Sequence, residues 1–514
     1  MTSSTITILI TIILYLVMMV TIGAVFSKKN KSSDDFYLGG RHLGPLVAAM
    51  SAEASDMSSW LLLGLPGLAL ATGIAEASWT AIGLAIGTYI NWLIVAKRLR
   101  VYTQKVGSFT IPDFFSRRFG DEKNILTAVA ALFIIIFFVP YTASGFAACG
   151  KLFSSLFGID YLTAMIISAA VIVLYCALGG FLAASTTDFV QSVIMTIALI
   201  VVVGFGAVKI NGLSNAIDNV KAFDGYLDIF KGYDIGTGAT GSYGFLPIVS
   251  TLAWGLGYFG MPHILLRFMA IEDKNKIALS RRVASVWVVI SMGVAILIGV
   301  VGYSLMKNGI VPEYVNNSES ETLIIDVAKV ISSHGVLPAV VGGVILAGIL
   351  ASTMSTSDSQ LLAAASSVSQ NLVREVFHIN ISEKTAIVLA RVSVLVISVI
   401  AVFLAMDPNS SVFRIVSFAW GGFGAVFGPA VLFALFWKRS NKWGILTGMI
   451  AGGSMIFIWK FVIRTAFAGT ALDIYELLPA FIVNCIFVVC ISLVTKAPSK
   501  EITDTFDSVV REVR

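Results

Sequence analysis

The chain has 514 residues, of which 57% are hydrophobic and 13% charged, with a formal net charge of +5. An average soluble domain is roughly 45–50% apolar and about 25% charged. This composition excludes a soluble enzyme, a nucleic-acid binder and a disordered scaffold. Roughly 20 apolar residues cross a bilayer as a helix, so the chain has room for about a dozen spans joined by short loops.

Apolar runs broken by charge and turn clusters predict thirteen spans, near 5–26, 43–72, 77–96, 124–150, 160–180, 188–208, 244–266, 283–306, 336–370, 385–405, 412–437, 443–463 and 475–495. Backbone groups in lipid must be satisfied internally, and no ten-residue alternation of a barrel strand is present, so the spans read as helices. The start lacks a basic segment, and Thr5–Phe26 is long enough to remain as a span rather than a cleaved signal. The four cysteines, Cys149, Cys176, Cys485 and Cys490, lie in apolar stretches without metal-ligand spacing and read as buried small hydrophobes.

Twenty-five of the 35 Lys and Arg fall in alternate gaps and the tail. They include Lys28, Lys29, Lys31 and Arg41 after span 1, Lys97–Lys123 after span 3, and Arg267–Arg282 after span 7. The opposite gaps hold few. This asymmetry predicts an N-terminus outside and a C-terminus in the cytoplasm. It also removes the nucleic-acid reading, because the basic residues are scattered over many short loops. The polar gaps 209–243 and 307–335 are longer and suit short helices or gates, and the tail 497–514 is too short to fold alone.

Spans 2 and 7 differ from the rest. Span 2 carries Ser51-Ala52-Glu53-Ala54-Ser55-Asp56-Met57-Ser58-Ser59-Trp60, then Gly64-Leu65-Pro66-Gly67. Span 7 carries Trp254-Gly255-Leu256-Gly257-Tyr258-Phe259-Gly260-Met261-Pro262-His263. Both put helix-breaking and polar residues at membrane depth, five spans apart, so a five-span unit repeated there is inverted. Paired interrupted segments in two halves point to a transporter binding site. The expected organisation is one integral membrane domain over 1–514: an additional first helix (5–26), repeat 1 (43–208), repeat 2 (244–437), two additional helices (443–495) and the cytoplasmic tail.

Close helix packing explains the serines of span 2 but not its acids, which cost roughly 2.5–3.5 kcal/mol each in lipid and require a partner, water or a cation. Span 9 offers a complement in Ala351-Ser352-Thr353-Met354-Ser355-Thr356-Ser357-Asp358-Ser359-Gln360. Ser352, Ser355, Thr356 and Ser359 share one helical face; such a face completes an oxygen cage beside a broken helix, or else back-bonds to its own carbonyls. Asp188 has no nearby sequence counter-ion and reads as a cation attractor, an N-cap for span 6, or both. Tyr141 beside Pro140, Trp254 and Tyr258 offer ring surface and donors to a small amphiphile. Arg391, Arg414 and Lys460 fall at span ends or interiors, where they snorkel or pair, and Gly83 and Gly87 read as a close-packing pair. No Walker loop, nucleophile elbow or zinc motif is present, so nothing indicates an enzyme or an ATP-driven pump.

At these residues the chain resembles the sodium:solute symporter family, and within it the sodium/proline symporters. The stretches Ser51–Trp60, Gly179-Gly180 through Asp188 and Gln191, Trp254–Gly260 with Pro262-His263, and Met354-Ser355-Thr356 carry the resemblance across essentially the whole chain. The resemblance implies thirteen helices, an inverted five-plus-five repeat with a discontinuous first helix in each half (the amino-acid transporter LeuT-like fold), and one solute carried with Na⁺. It implies a Na⁺ site from carbonyls of Ala54, Met57 and Ser352 and hydroxyls of Ser355 and Thr356. It also implies a substrate site from Ser55, Ser58, Trp60, Tyr141, Trp254, Tyr258 and Pro262, and coupling roles for Arg41, Asp56 and Asp188. Ser352 stands where the family has alanine, and Met261 where it has glutamine. Asp358 beside Ser359 departs further, and with Asp188 makes a candidate second cation site.

The expected function is Na⁺-coupled symport of L-proline at the plasma membrane, with no obligate protein partner. Another amino acid, a carboxylate or a sugar is the alternative within the family. A cation channel or membrane sensor fits less well, since a channel needs no paired broken helices and a sensor needs a larger output domain.

Overall fold

The computed structural model of the chain describes residues 2–27, 33–178 and 180–513. Lys28, Lys29, Lys31, Gly179 and Arg514, used in the charge and motif readings above, lie outside them. Among the described residues ten helices are long and apolar enough to cross a membrane, from Ser3–Phe26 to Leu477–Val494. Expected span 5 falls on the shorter helix Tyr161–Leu178, and expected spans 2 and 7 fall on interrupted helices.

Burial separates a core from a lipid-facing shell. Helix Ser3–Ser27 buries one stripe, Ile8, Ile12, Tyr15 and Met19, against Val336–Ser366, and exposes Ile10, Leu14 and Val17. That i, i+4, i+7, i+11 spacing is one helix face, and in a bilayer the exposed apolar side meets acyl chains. Val412–Phe436 is instead buried along most of its length. Helices run past the expected apolar limits: span 3 extends over Ile74–Val106, span 4 over Ile125–Phe157, and span 6 begins at Phe181. Hydropathy marks the part of a helix inside hydrocarbon, whereas hydrogen bonding carries the helix on into polar residues.

The two unusual spans are both broken. Helix Pro45–Ser59 has a non-helical Ser58 at φ 46°, ψ −169°, followed by a wide turn at Trp60–Gly64 and a helix at Leu65–Thr72. In the other half, Phe245–Leu252 tightens into a 3-10 segment at Ala253–Gly260. Met261 is then extended at φ −75°, ψ 108°, and Pro262–Ala270 restarts the helix. Pro262 suits a first helical turn, where its missing N–H leaves no bond unmade. The expected close packing at Gly83 and Gly87 is against this segment. A β-carbon at either would strike the backbone of Leu252 or Gly255.

The longer gaps are structured. The first holds helix Leu213–Lys221 and an antiparallel hairpin pairing Lys231–Tyr233 with Thr240–Ser242. The second holds helices Asn317–Ser320 and Leu323–Ser332. It is pinned by buried Glu321, which pairs with Lys151 at 2.7 Å and accepts the N–H groups of Val412 and Phe413 at a helix start. The tail is a helix, Lys500–Val513, rather than a loose end. It buries Phe506 and Val509, and Glu512 pairs with Lys274 at 2.7 Å. Of the cysteines only Cys149 is buried; Cys176 and Cys485 are half-buried and Cys490 exposed. The expectation of four buried thiols fails because an apolar stretch also has a lipid-facing side.

Candidate functional site

Spans 2 and 9 meet at several of the oxygens named for the expected cage. Ser355 Oγ donates to the Ala54 carbonyl at 2.8 Å and to the Ser352 carbonyl at 3.2 Å, and Thr356 Oγ1 donates to the Ser352 carbonyl at 3.1 Å. Ser352 back-bonds through its own hydroxyl to Ile349, so its carbonyl is the group offered. Ala54, Ser352, Ser355 and Thr356 are all buried. The Met57 carbonyl accepts the Trp60 N–H within its own segment. Neutral carbonyl and hydroxyl oxygens are the ligands a hard, weakly polarising cation prefers.

Beside the cage, Asp56 finds the partner its burial requires. Its Oδ2 accepts from Tyr258 OH at 2.5 Å, and its carbonyl accepts from Tyr141 OH at 3.0 Å. One acid thereby joins the broken span 2, the broken span 7 and the Pro140-containing helix. Glu53 is held separately by Trp92 Nε1 at 3.0 Å. Ser55 bonds back to Ala52, and Ser58 Oγ accepts the Trp60 N–H, steadying the break. Trp60 and Trp254 lie 5.9 Å apart, ring centre to centre. Pro262 starts the half-helix of span 7, so Ser55, Ser58, Trp60, Tyr141, Trp254, Tyr258 and Pro262 belong to buried segments around the two breaks.

Several contributors escaped the sequence reading. Trp420 donates its indole N–H to the Trp254 carbonyl at 2.7 Å and meets Tyr258 edge-on at 5.0 Å. Asn91 donates to the Tyr258 carbonyl at 2.9 Å, satisfying a group in the broken segment. Phe413 and Tyr475 pack on Trp254 at 5.4 and 5.2 Å. A signal for Trp420 lies in Gly257, where a β-carbon would collide with the Trp420 indole.

Asp188, Asp358 and Ser359 come together, but Asp188 is not without a counter-ion. Arg267, from the half-helix of span 7, places Nη2 3.0 Å from Asp188 Oδ2 and 2.5 Å from Ser359 Oγ. Ser51 Oγ donates to the same Asp188 oxygen at 2.7 Å, and Ser359 Oγ donates to Asp358 at 3.1 Å. The sequence reading missed this pair because the partners are 79 residues apart. It also treated Arg267 as a loop charge, whereas Arg267 is 1% exposed, and Arg100 and Arg118 are buried as well. The N-cap reading of Asp188 is overturned too. The helix begins at Phe181, capped at Gly180, and Asp188 lies two turns inside it. Two carboxylates here face one guanidinium. Asp188 Oδ1 and Asp358 Oδ2 have no partner among the described residues.

Arg41 closes the basic end of the molecule. Its guanidinium donates to the carbonyls of Met269 at 2.7 Å and Ser108 at 2.6 Å, and to Thr103 Oγ1 at 3.2 Å. It thus ties the chain ahead of span 2 to the half-helix of span 7 and to the helix ending at Val106.

This architecture is shared with solved transporters. A Na⁺-coupled sialic acid symporter captured substrate-bound and outward-open superposes with a TM-score of 0.77 at 16% identity, covering 96% of this chain and 99% of that one. Mhp1, a nucleobase-cation-symport-1 family transporter in a closed conformation, matches with a TM-score of 0.55 at 13% identity, covering 93% and 99%. Among sequences, the osmoregulated proline transporter OpuE of Bacillus subtilis (strain 168) is 42% identical over 96% of each chain. The sodium/proline symporter of Escherichia coli (strain K12) is 39% identical over 97% of this chain and 95% of its own. Residues 36–452 match the family's own pattern, and this multi-pass membrane protein belongs to the sodium:solute symporter family.

Proposed function

We propose that this chain carries L-proline into the cell together with Na⁺ by alternating access, and that it resides in the cell membrane with its N-terminus outside and its C-terminus in the cytoplasm. The observation that carries the reading is the Ser355–Ala54 hydrogen bond, which joins span 9 to the broken span 2 two residues from Asp56. The names of the relatives and the charge asymmetry of the loops support it. Na⁺ is cargo here, held by carbonyls of Ala54, Met57 and Ser352 and hydroxyls of Ser355 and Thr356. Ser355 and Thr356 donate to the carbonyls of Ala54 and Ser352, the same carbonyls assigned to the ion.

Ordering of the Ala54–Ser58 segment then shapes the seat for the solute. The proline carboxylate is held by freed backbone N–H groups at a half-helix start, where the helix dipole favours an anion. Its ring packs among Trp60, Tyr141, Trp254 and Tyr258, with Ser55, Ser58 and Pro262 at the edge. Asp56 acts through Tyr258 and Tyr141, whose hydroxyls it orients. Arg41 is the latch of the cytoplasmic side, and its three bonds break for inward opening. Asp188, Asp358 and Ser359 form a second cation site in which Arg267 supplies one positive charge and a free cation the other. Repeat 1 (43–208) and repeat 2 (244–437), with 5–26 and 443–495 as additional helices, build the body that alternates between outward-open and inward-open states. A ligand shifts such an equilibrium only through its different affinity for the two states. Membrane potential adds about 2.3 kcal/mol per charge per 100 mV to the Na⁺ gradient.

The test is uptake of radiolabelled L-proline into proteoliposomes. An inward Na⁺ gradient is expected to drive accumulation, and equal uptake with and without the gradient rejects the coupling.

A further inference from the structure

Away from both breaks, a cavity of about 490 Å³ opens between helices Phe181–Lys209 and Ile277–Lys307. Leu199 and Ile200 form one wall, Val286, Ile290 and Val294 the other, and Met50 of the interrupted helix Pro45–Ser59 closes one side. Ile200, Val286 and Ile290 are exposed, so the hollow faces the hydrocarbon of the bilayer and not the transport site. The polar groups inside it are already satisfied. Trp287 donates its indole N–H to Thr196 Oγ1 at 2.9 Å, Thr196 donates onward to the Ser192 carbonyl at 2.7 Å, and Ser291 bonds back to Val288 at 3.2 Å. The interior therefore suits an apolar chain, and a polar solute would lose its hydration there without replacement.

One end is different. Arg282, near the start of Ile277–Lys307, lines the cavity and is exposed. The basic residues around it in sequence are engaged. Lys274 pairs with Glu512 at 2.7 Å, Lys276 pairs with Glu272 at 3.0 Å, and Arg281 lies 5.4 Å from the centre of the Tyr89 ring. The Arg282 guanidinium has no hydrogen-bond or ion-pair partner among the described residues. From Arg282 to Val294 the helix rises about 18 Å, close to half of the roughly 30 Å hydrocarbon core. A spare cation at the membrane surface, over an apolar hollow one leaflet deep, matches an anionic head on a long hydrocarbon tail. An apolar helix of a second copy would fill the hollow and leave the guanidinium unanswered.

We infer that this hollow is a binding site for an anionic phospholipid, with its phosphate on Arg282 and one acyl chain laid along Trp287 and Ile290 toward Val294. The orientation proposed above puts it in the inner leaflet; the site itself is independent of the solute carried. A chain seated there packs on Met50, so the lipid bears on the same interrupted helix that carries Ala54 and Asp56.

The test is quenching of Trp287 fluorescence by phospholipids brominated in mid-chain, with the purified full chain in phosphatidylcholine bilayers. The Trp287 signal is the difference from Trp287→Phe. Brominated phosphatidylglycerol is expected to quench it at about one-fifth of the lipid fraction that brominated phosphatidylcholine requires, the preference one cationic side chain gives near a membrane surface. Arg282→Gln should make the two lipids equivalent, Arg282→Lys should keep most of the preference, and high salt should shrink it in the unmodified chain. Equal quenching by both lipids in the unmodified chain, or a preference that survives Arg282→Gln, overturns the inference. So does quenching by neither lipid, the result of a second copy of the chain occupying the hollow. The salt series needs no variant, so it decides even if Arg282→Gln does not fold: a preference indifferent to salt rejects the site.

Discussion

The two interrupted helices are broken by different means. In span 7 the break is written locally: glycines at 255, 257 and 260 and Pro262 leave the backbone free to tighten and then turn extended at Met261. In span 2 the break falls on one serine. Ser58 sits at φ 46°, ψ −169°, a region nearly restricted to glycine that costs a side-chain-bearing residue about 1–3 kcal/mol. Such a conformation persists only where the surroundings enforce it. Here they do so through Ser58 Oγ to the Trp60 N–H and through Asp56 gripped by Tyr258 and Tyr141. One break is therefore a property of its own sequence, and the other is imposed by neighbours and stores strain beside the proposed cage.

The largest effect is expected where the intrinsic break depends on close approach. Gly257→Ala drives a methyl into the Trp420 indole, at an overpacking cost of about 1–3 kcal/mol or more. Thermal unfolding of the purified protein should show the loss, and an unchanged melting temperature would remove the close contact from the account. Next is the imposed break and its link to span 9. Thr356→Ala deletes one hydroxyl of the proposed Na⁺ cage and should raise the Na⁺ concentration for half-maximal uptake about tenfold, the equivalent of ~1.4 kcal/mol. An unaltered Na⁺ dependence would take Thr356 out of the cage.

Ser58→Gly sharpens the contrast from the opposite direction. Glycine accepts the same backbone angles without strain, so stability should rise by up to about 1 kcal/mol; destabilisation would mean that the hydroxyl bond to Trp60 outweighs the strain. The smallest effect is expected far from both breaks. Lys274 beside Glu512, with Lys105 near, holds that carboxyl below its ordinary range. The pair's contribution is therefore present above that range and lost as pH falls through the depressed titration. Glu512→Gln should abolish this slight acid-side loss and otherwise leave unfolding unchanged, since exposed pairs contribute little. A large shift would show the tail helix to be part of the moving core.

The regions of both breaks could be read from the sequence because serine, glycine, proline and acid clustered at membrane depth are costly, and they persist only where the backbone opens or a polar partner waits. The residue at which span 2 breaks could not, because Ser51, Ser55, Ser58 and Ser59 carry the same side chain, and the one that turns is chosen by tertiary contacts. The hydroxyl face of span 9 was legible through helical spacing, and its contact with Ala54 followed. Arg267 was not. A basic residue after an apolar run reads as a loop charge, and nothing short of the packed fold brings it to Asp188. The ring cluster of Phe413, Trp420 and Tyr475 was hidden for another reason: aromatic residues populate every span, so their grouping emerges only when separate helices meet.

The backbones of Ile74–Ile90 and Ala253–Gly260 touch at Gly83, Gly87 and Gly255 with no room for a single extra carbon between them. Surfaces that close cannot slide by a fraction of a turn without clashing, and they cannot part without leaving a void that neither lipid nor a side chain fills. The two segments must therefore travel as one piece through the whole working cycle, and any pivot has to lie elsewhere. Distance labels placed on them should report a constant separation in every state, which makes this pair a fixed frame against which the movement of all other helices can be measured.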